Sequence, residues 1–163
     1  MLVVSDTGPL RYLALIGHVD KLPLLYGAVP IPESVARELS HPNTPEAARA
    51  LIAAPPVWLT VHAGAGSDPG LDILGAGERQ AIRLAEQIQA DLLLCDDLLA
   101  RRSAAEHRLQ VIGTLGVLRD AAKRGLLEID LALDQLRTRT NFRAIDTLYN
   151  AVLKDVYGNT DAS

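Results

Sequence analysis

Five short apolar runs, separated by segments of helical period, constrain this chain more than any other feature. The runs cover residues 2–4, 28–31, 57–61, 92–95 and 111–112. They are mostly continuous rather than alternating, the pattern of strands buried on both faces of a parallel sheet. Parallel neighbours cannot be joined by tight hairpins and need crossovers, usually helical. The intervening segments supply them. Residues 32–39 begin with Pro32, a residue suited to a first helical position. Residues 47–53 follow Thr44-Pro45-Glu46, with Thr44 as the expected N-cap. Residues 76–89 give the clearest helix: Ala81, Ile82, Ala85 and Ile88 recur at helical spacing, while Glu78, Arg79, Arg83, Glu86 and Gln87 take the other faces. Further helices are expected over residues 98–109, 115–124 (closed by Gly125), 129–138 and 141–156, and residues 63–70 read as a loop. The order βαα-βαα-βα-βα-β predicts a three-layer α/β/α domain with a central, mainly parallel sheet. That domain is expected to span residues 1–157, with residues 158–163 as a disordered tail.

A length of 163 residues suffices for one domain with a full core. The single cysteine cannot form an internal disulfide, which favours a reducing cytoplasm. Cys95 adjoins Leu92-Leu93-Leu94 and reads as a buried, inert thiol. No apolar run approaches the ~20 residues that span a bilayer. The opening stretch lacks a basic region and meets an acid at Asp6, so no secretory signal is expected there. The net charge of −4 counts against a simple nucleic-acid binder, whose affinity comes largely from Lys and Arg against phosphate. Such a chain needs a local basic patch, cations that bridge it to phosphate, or another ligand altogether.

In open α/β sheets the ligand site lies beyond the carboxyl ends of the strands. Asp6 follows the first apolar run directly, and Asp96 and Asp97 follow the fourth. Glu38 stands about two turns into the helix after the second run. Glu78 stands in the first turn of the strongest helix, where the helix dipole favours a carboxylate. Singly, each has an ordinary reading as a turn former, cap or solvated helix acid. Together they repel: two charges ~5 Å apart at an effective dielectric of ~20 cost about 3 kcal/mol. A converging set must therefore be protonated, well solvated or neutralised by a cation, and at least one raised pKa is expected without metal. Hard oxygen ligands with no His or Cys nearby suit Mg²⁺ or Mn²⁺ rather than zinc. One or two such ions can generate a hydroxide nucleophile and stabilise an in-line phosphodiester transition state. They would also draw a phosphate backbone to an acidic protein.

Val3-Val4-Ser5-Asp6-Thr7-Gly8-Pro9-Leu10 resembles the first strand of a PIN domain. Four further matches follow in family order: Val35-Ala36-Arg37-Glu38, Leu74-Gly75-Ala76-Gly77-Glu78-Arg79-Gln80-Ala81-Ile82, Leu93-Leu94-Cys95-Asp96-Asp97-Leu98-Leu99-Ala100-Arg101, and Val111-Ile112-Gly113-Thr114-Leu115-Gly116-Val117-Leu118. The last is similar to a signature of one prokaryotic branch of PIN-like nucleases. The resemblance covers roughly residues 2–125. It implies a Mg²⁺/Mn²⁺-dependent RNase, often the toxin of a toxin–antitoxin pair as in VapC-type proteins. It places Asp6, Glu38 and Glu78 as the first three acids, Glu78 departing from the commoner Asp. Asp97 aligns best with the fourth acid, and Asp96 falls on a position often polar, so both remain candidates for the metal. Ser5, Thr7 and Thr114 would supply hydroxyls near metal or substrate, and Arg101 and Arg102 are candidate phosphate contacts, with solvated helix arginines as the alternative. The implied partners are RNA and an antitoxin protein, with no membrane; the C-terminal helices leave open a homodimer contact or an antitoxin groove.

Three rival readings remain. A haloacid-dehalogenase-type phosphatase also starts with a strand ending in Asp, but it needs a second acid two positions on, where Gly8 stands. A non-catalytic PIN-like module that binds RNA or protein is opposed by retention of every expected acid. A Ser/His/Asp hydrolase has little support, because His18, His41, His62 and His107 lie in polar or loop contexts without a nucleophile motif and read as surface histidines.

Overall fold

In the computed structural model, which describes residues 1–64, 66 and 68–158, the apolar runs become β1 (Val3–Ser5), β2 (Val29–Pro32), β3 (Leu59–His62), β4 (Leu92–Leu94) and β5 (Val111–Ile112). Every observed pairing is parallel. β4 is central to one sheet, with Val3 of β1 opposite Leu92 and Val111 of β5 opposite Leu93. β2 pairs β3 from Val29–Leu59 to Pro32–His62. β1 also lies alongside β2, giving the spatial sequence β3-β2-β1-β4-β5.

Strand residues alternate between two cores, as a pleat requires. Val3, Leu92 and Leu94 pack into one cluster, and Val4, Leu93 and Cys95 into the other. That division explains the continuous apolar runs of the central strands: neither face of β1 or β4 is wet. The first cluster takes buried residues from α1 (Thr7–Leu15), α2 (Lys21–Tyr26), α3 (Glu33–Leu39), α4 (Glu46–Ala53), α7 (Thr114–Lys123), α8 (Ile129–Arg139) and α9 (Asp146–Tyr157). The second takes them from α5 (Ala76–Gln87) and α6 (Leu98–Glu106). The chain is thus α/β with helices on both sides of parallel strands, the three-layer arrangement expected from the order of elements.

Boundaries depart from expectation where local chemistry intervenes. β3 begins two residues late, at Leu59, the first buried residue of the run, while Val57 is 99% exposed. Pro32 closes β2 and stands at the N-cap of α3 rather than inside the helix. Thr44 does not cap α4: Pro45 holds that position, and the Thr44 hydroxyl donates to the Glu38 carbonyl at 2.9 Å. The expected loop contains a short 3-10 turn, Pro69–Leu71, held by a 2.9 Å bond from the Gly70 amide to Asp68. The last helix starts at Asp146, not at residue 141, because Thr140 bridges backbone groups that a helix would need. Its hydroxyl donates to the Leu136 carbonyl and accepts from the Phe142 amide, leaving residues 141–145 as a strap between α8 and α9. Arg137 of α8 then stacks over the Tyr149 ring of α9, 3.7 Å from its centroid. The expected tail lies outside the described residues from Asn159 onward. No helix among the described residues is long and apolar enough to cross a membrane.

Candidate active site

Parallel strands put the residues that follow β1 and β4 on one edge. A cavity of about 890 Å³ opens there, lined in part by Asp6, Glu38, Glu78, Asp96 and Asp97. Thr7 and Arg101 line it as well. The five acids therefore share one opening, but they are not equivalent.

Asp6 stands between β1 and α1 and is only 5% exposed. Its amide donates to the Leu94 carbonyl at 2.9 Å, tying the turn to β4. One carboxylate oxygen, Oδ2, accepts a long 3.7 Å contact from the Cys95 thiol. The other, Oδ1, is buried with no hydrogen-bond partner among the described residues. Burial pushes the Asp6 carboxyl from 3.8 up to about 7; Glu78 and Glu38 push the same way, while the Thr7 backbone and the Cys95 thiol oppose it. The raised pKa was expected from like charges, but desolvation is the larger cause. Cys95 itself is buried, and its thiol is pushed up mainly by burial. It touches the central acid, so the expectation of no Cys nearby does not hold.

Glu38 is fully engaged: Oε1 accepts from the Gly77 amide at 2.9 Å and Oε2 from the Thr7 hydroxyl at 2.5 Å. The Gly77 amide lies in the first turn of α5, among the donors a helix leaves unpaired. A Cβ at residue 77 would lie 2.7 Å from both Glu38 carboxylate oxygens, so this approach requires glycine. Glu78 is half-buried in the same turn, its carboxylate lying over Gly75.

Asp96 and Asp97 diverge. Asp96 turns inward, accepting from the Thr114 amide and hydroxyl, each at 2.6 Å. Burial raises its pKa, against the Thr114 hydrogen bonds and the nearby Arg101 charge. Gly113 makes room: a Cβ there would fall 2.6 Å from Asp96 Oδ1. Asp97 is exposed, and its side chain accepts from the Ala100 amide at 2.9 Å as the N-cap of α6. The sequence reading placed Asp97 ahead of Asp96 as the fourth acid; both line the cavity, Asp96 tied to Thr114 and Asp97 to the start of α6, because consecutive residues at a strand end face opposite ways.

The hydroxyls also separate. Thr7 lines the cavity, whereas Ser5 is fully buried and donates to the Asp6 carbonyl at 2.8 Å. Thr114 is fully buried as well and holds Asp96. Neither reaches the cavity, so a direct substrate contact by Ser5 or Thr114 is not what the geometry offers. The cavity lining also holds Tyr12, Arg119, Phe142 and Arg143, which sequence reasoning did not assign to this site. Their only signal was a scattering of aromatic and basic residues across distant segments.

Among the described residues, no three His, Cys, Asp or Glu side chains close on one point as a ready metal shell. The donors present are nonetheless carboxylate oxygens, and Asp6 contributes one that is buried and unpartnered. That set matches a hard divalent cation in kind.

The family model described as "DUF3368: PIN domain" matches residues 2–157. No curated protein and no solved structure matches the chain. The matched span takes in all five strands, the helices on both sides of them and every acid of the cavity. With parallel strands delivering those acids to one edge, the chain belongs to the PIN-domain family, whose members are generally nucleases.

Proposed function

We propose that this protein is a Mg²⁺- or Mn²⁺-dependent endoribonuclease that hydrolyses RNA phosphodiester bonds, acting as the toxin of a type II toxin–antitoxin pair. The observation that carries the reading is Asp6: a nearly buried carboxylate with an unpartnered oxygen, in a cavity shared with Glu38, Glu78 and Asp96. An orphaned buried acceptor is costly and calls for a partner. A divalent ion bound there supplies charge neutralisation and activates water toward phosphorus. Asp6 and Glu78 would hold it, with Asp96 as the fourth acid in place of Asp97. Thr7 and the Gly77 amide orient Glu38, and Thr114 orients Asp96. Arg101, beside Asp96, is placed to meet a phosphate oxygen.

Purified protein is expected to cleave single-stranded RNA with Mn²⁺ or Mg²⁺ and to stop in EDTA. Asp6→Asn keeps the shape and removes a ligating charge, so it should abolish cleavage without unfolding the chain. Undiminished cleavage by that variant, or in EDTA, would overturn the assignment. The toxin role has its own test: wild-type expression alone should arrest bacterial growth and Asp6→Asn should relieve it, whereas harmless expression of an RNA-cleaving protein would make it a housekeeping nuclease. An antitoxin segment would cover the acidic cavity with an Arg or Lys, gaining charge-assisted hydrogen bonds.

One observation favours a second reading. The acids do not close on a common point among the described residues, which suits a non-catalytic module that binds RNA or protein. RNA binding without cleavage at saturating Mn²⁺ would establish it.

A further inference from the structure

The cavity is larger than a metal centre needs. Its volume of about 890 Å³ falls in the range of sites that enclose a small organic ligand, ~300–1,000 Å³. Beyond the acids its wall changes character. Tyr12 of α1 and Phe142 of the strap meet edge to face, with centroids 5.1 Å apart and planes at 85°. Both rings are half-buried, packing against the main core while also lining the cavity. The Tyr12 hydroxyl is held by Asn141 at 3.1 Å and feels the charge of Asp96, so this wall begins beside the acidic end. Arg143 follows Phe142 in the lining and is exposed. Arg119 is committed to Asp120 and Asp155, but no ion pair among the described residues engages Arg143.

We propose that Tyr12, Phe142 and Arg143 form a subsite for one unpaired nucleotide of the RNA strand, the rings holding its base and the guanidinium its phosphate. The inference rests on the ribonuclease reading and adds how the strand is seated. Aromatic faces hold unstacked bases, and an arginine beside them tracks the backbone. Depth supplies the second reason. Asp6 is 5% exposed, so a phosphodiester reaches it only by entering the cavity. A strand can follow when its bases are free, not when they are held in a duplex.

Fluorescence anisotropy in EDTA tests this apart from cleavage. The probes are a short labelled oligouridylate, the same strand in a duplex, and an abasic strand of equal length. The single strand should bind wild-type protein about tenfold or more tighter than either of the others, in line with the worth of one stacked base. Phe142→Leu, which keeps apolar bulk but removes the ring, should lose about tenfold for the single strand and little for the abasic one. Arg143→Gln, at an exposed position that carries no fold risk, should weaken binding of both single strands. Equal affinity for all three probes, or wild-type affinity in both variants, would overturn the subsite. Selective binding without Mn²⁺-dependent cleavage would instead overturn the nuclease reading and leave the subsite as part of an RNA-binding module.

Discussion

Asp6→Asn should make the metal-free protein more stable at pH 8, with the gain shrinking toward pH 5. An aspartate in an unfolded chain titrates near 3.8, whereas burial holds the Asp6 carboxyl up to about 7. Between those values the folded state keeps a proton that the unfolded chain has released. Stability therefore falls as pH rises through that window, the reverse of a salt-bridged acid. With ~1.4 kcal/mol per pKa unit, ionised Asp6 costs the fold on the order of 4 kcal/mol by pH 8 and under half that at pH 5. Asparagine has no such titration, but its amide brings a donor to a buried place, which removes about 1 kcal/mol of the gain. Urea unfolding of both proteins in EDTA at each pH gives the numbers, and the difference between them cancels every other titrating group. That difference should grow by about 2–3 kcal/mol from pH 5 to pH 8. A pH-independent difference, or a variant less stable than wild type at pH 8, would refute the reasoning. Added Mn²⁺ should then reverse the order by stabilising only the wild type.

Four further substitutions probe the parts around Asp6. Gly77→Ala would place a methyl 2.7 Å from the Glu38 oxygens; cleavage should fall at least about tenfold while the melting temperature holds, since alanine favours the helix by ~1 kcal/mol. Asp96→Asn should reduce cleavage by about a hundredfold, whereas Asp97→Ala should cost ~1 kcal/mol of stability through loss of a cap and leave kcat near wild type; the reverse pattern would restore Asp97 as the fourth acid. Ile82→Ala empties a fully buried position on the sheet face of α5 and should cost ~2–5 kcal/mol in urea unfolding, with Mn²⁺-dependent cleavage surviving in the folded fraction.

The central strands were legible because each is buried on both faces, so β1, β2 and β4 announce themselves as unbroken apolar runs. Edge strands carry less of that signal, and β3, with one buried residue in four, was misplaced by two. The acids could be placed on one sheet edge from the order of strands and helices alone. Which of Asp96 and Asp97 turns inward could not, since it depends on Thr114, 18 residues on, donating twice to one carboxylate. The fate of Ser5 was hidden for a related reason: a hydroxyl one residue before Asp6 sits on the opposite pleat and satisfies itself on the Asp6 carbonyl. The Tyr12–Phe142 wall joins residues 130 positions apart, a separation that no local pattern reports. Gly77 and Gly113 were visible in their motifs, but their role as clearances for Glu38 and Asp96 needed the side chains in place.

Anomalous diffraction from crystals grown with Mn²⁺ tests the account most directly. It predicts a Mn²⁺ peak at ligand distance from Asp6 Oδ1, with Glu78 or Asp96 completing the shell and the peak lost in Asp6→Asn. A cavity without anomalous density at saturating Mn²⁺, in protein that still cleaves RNA, would contradict it.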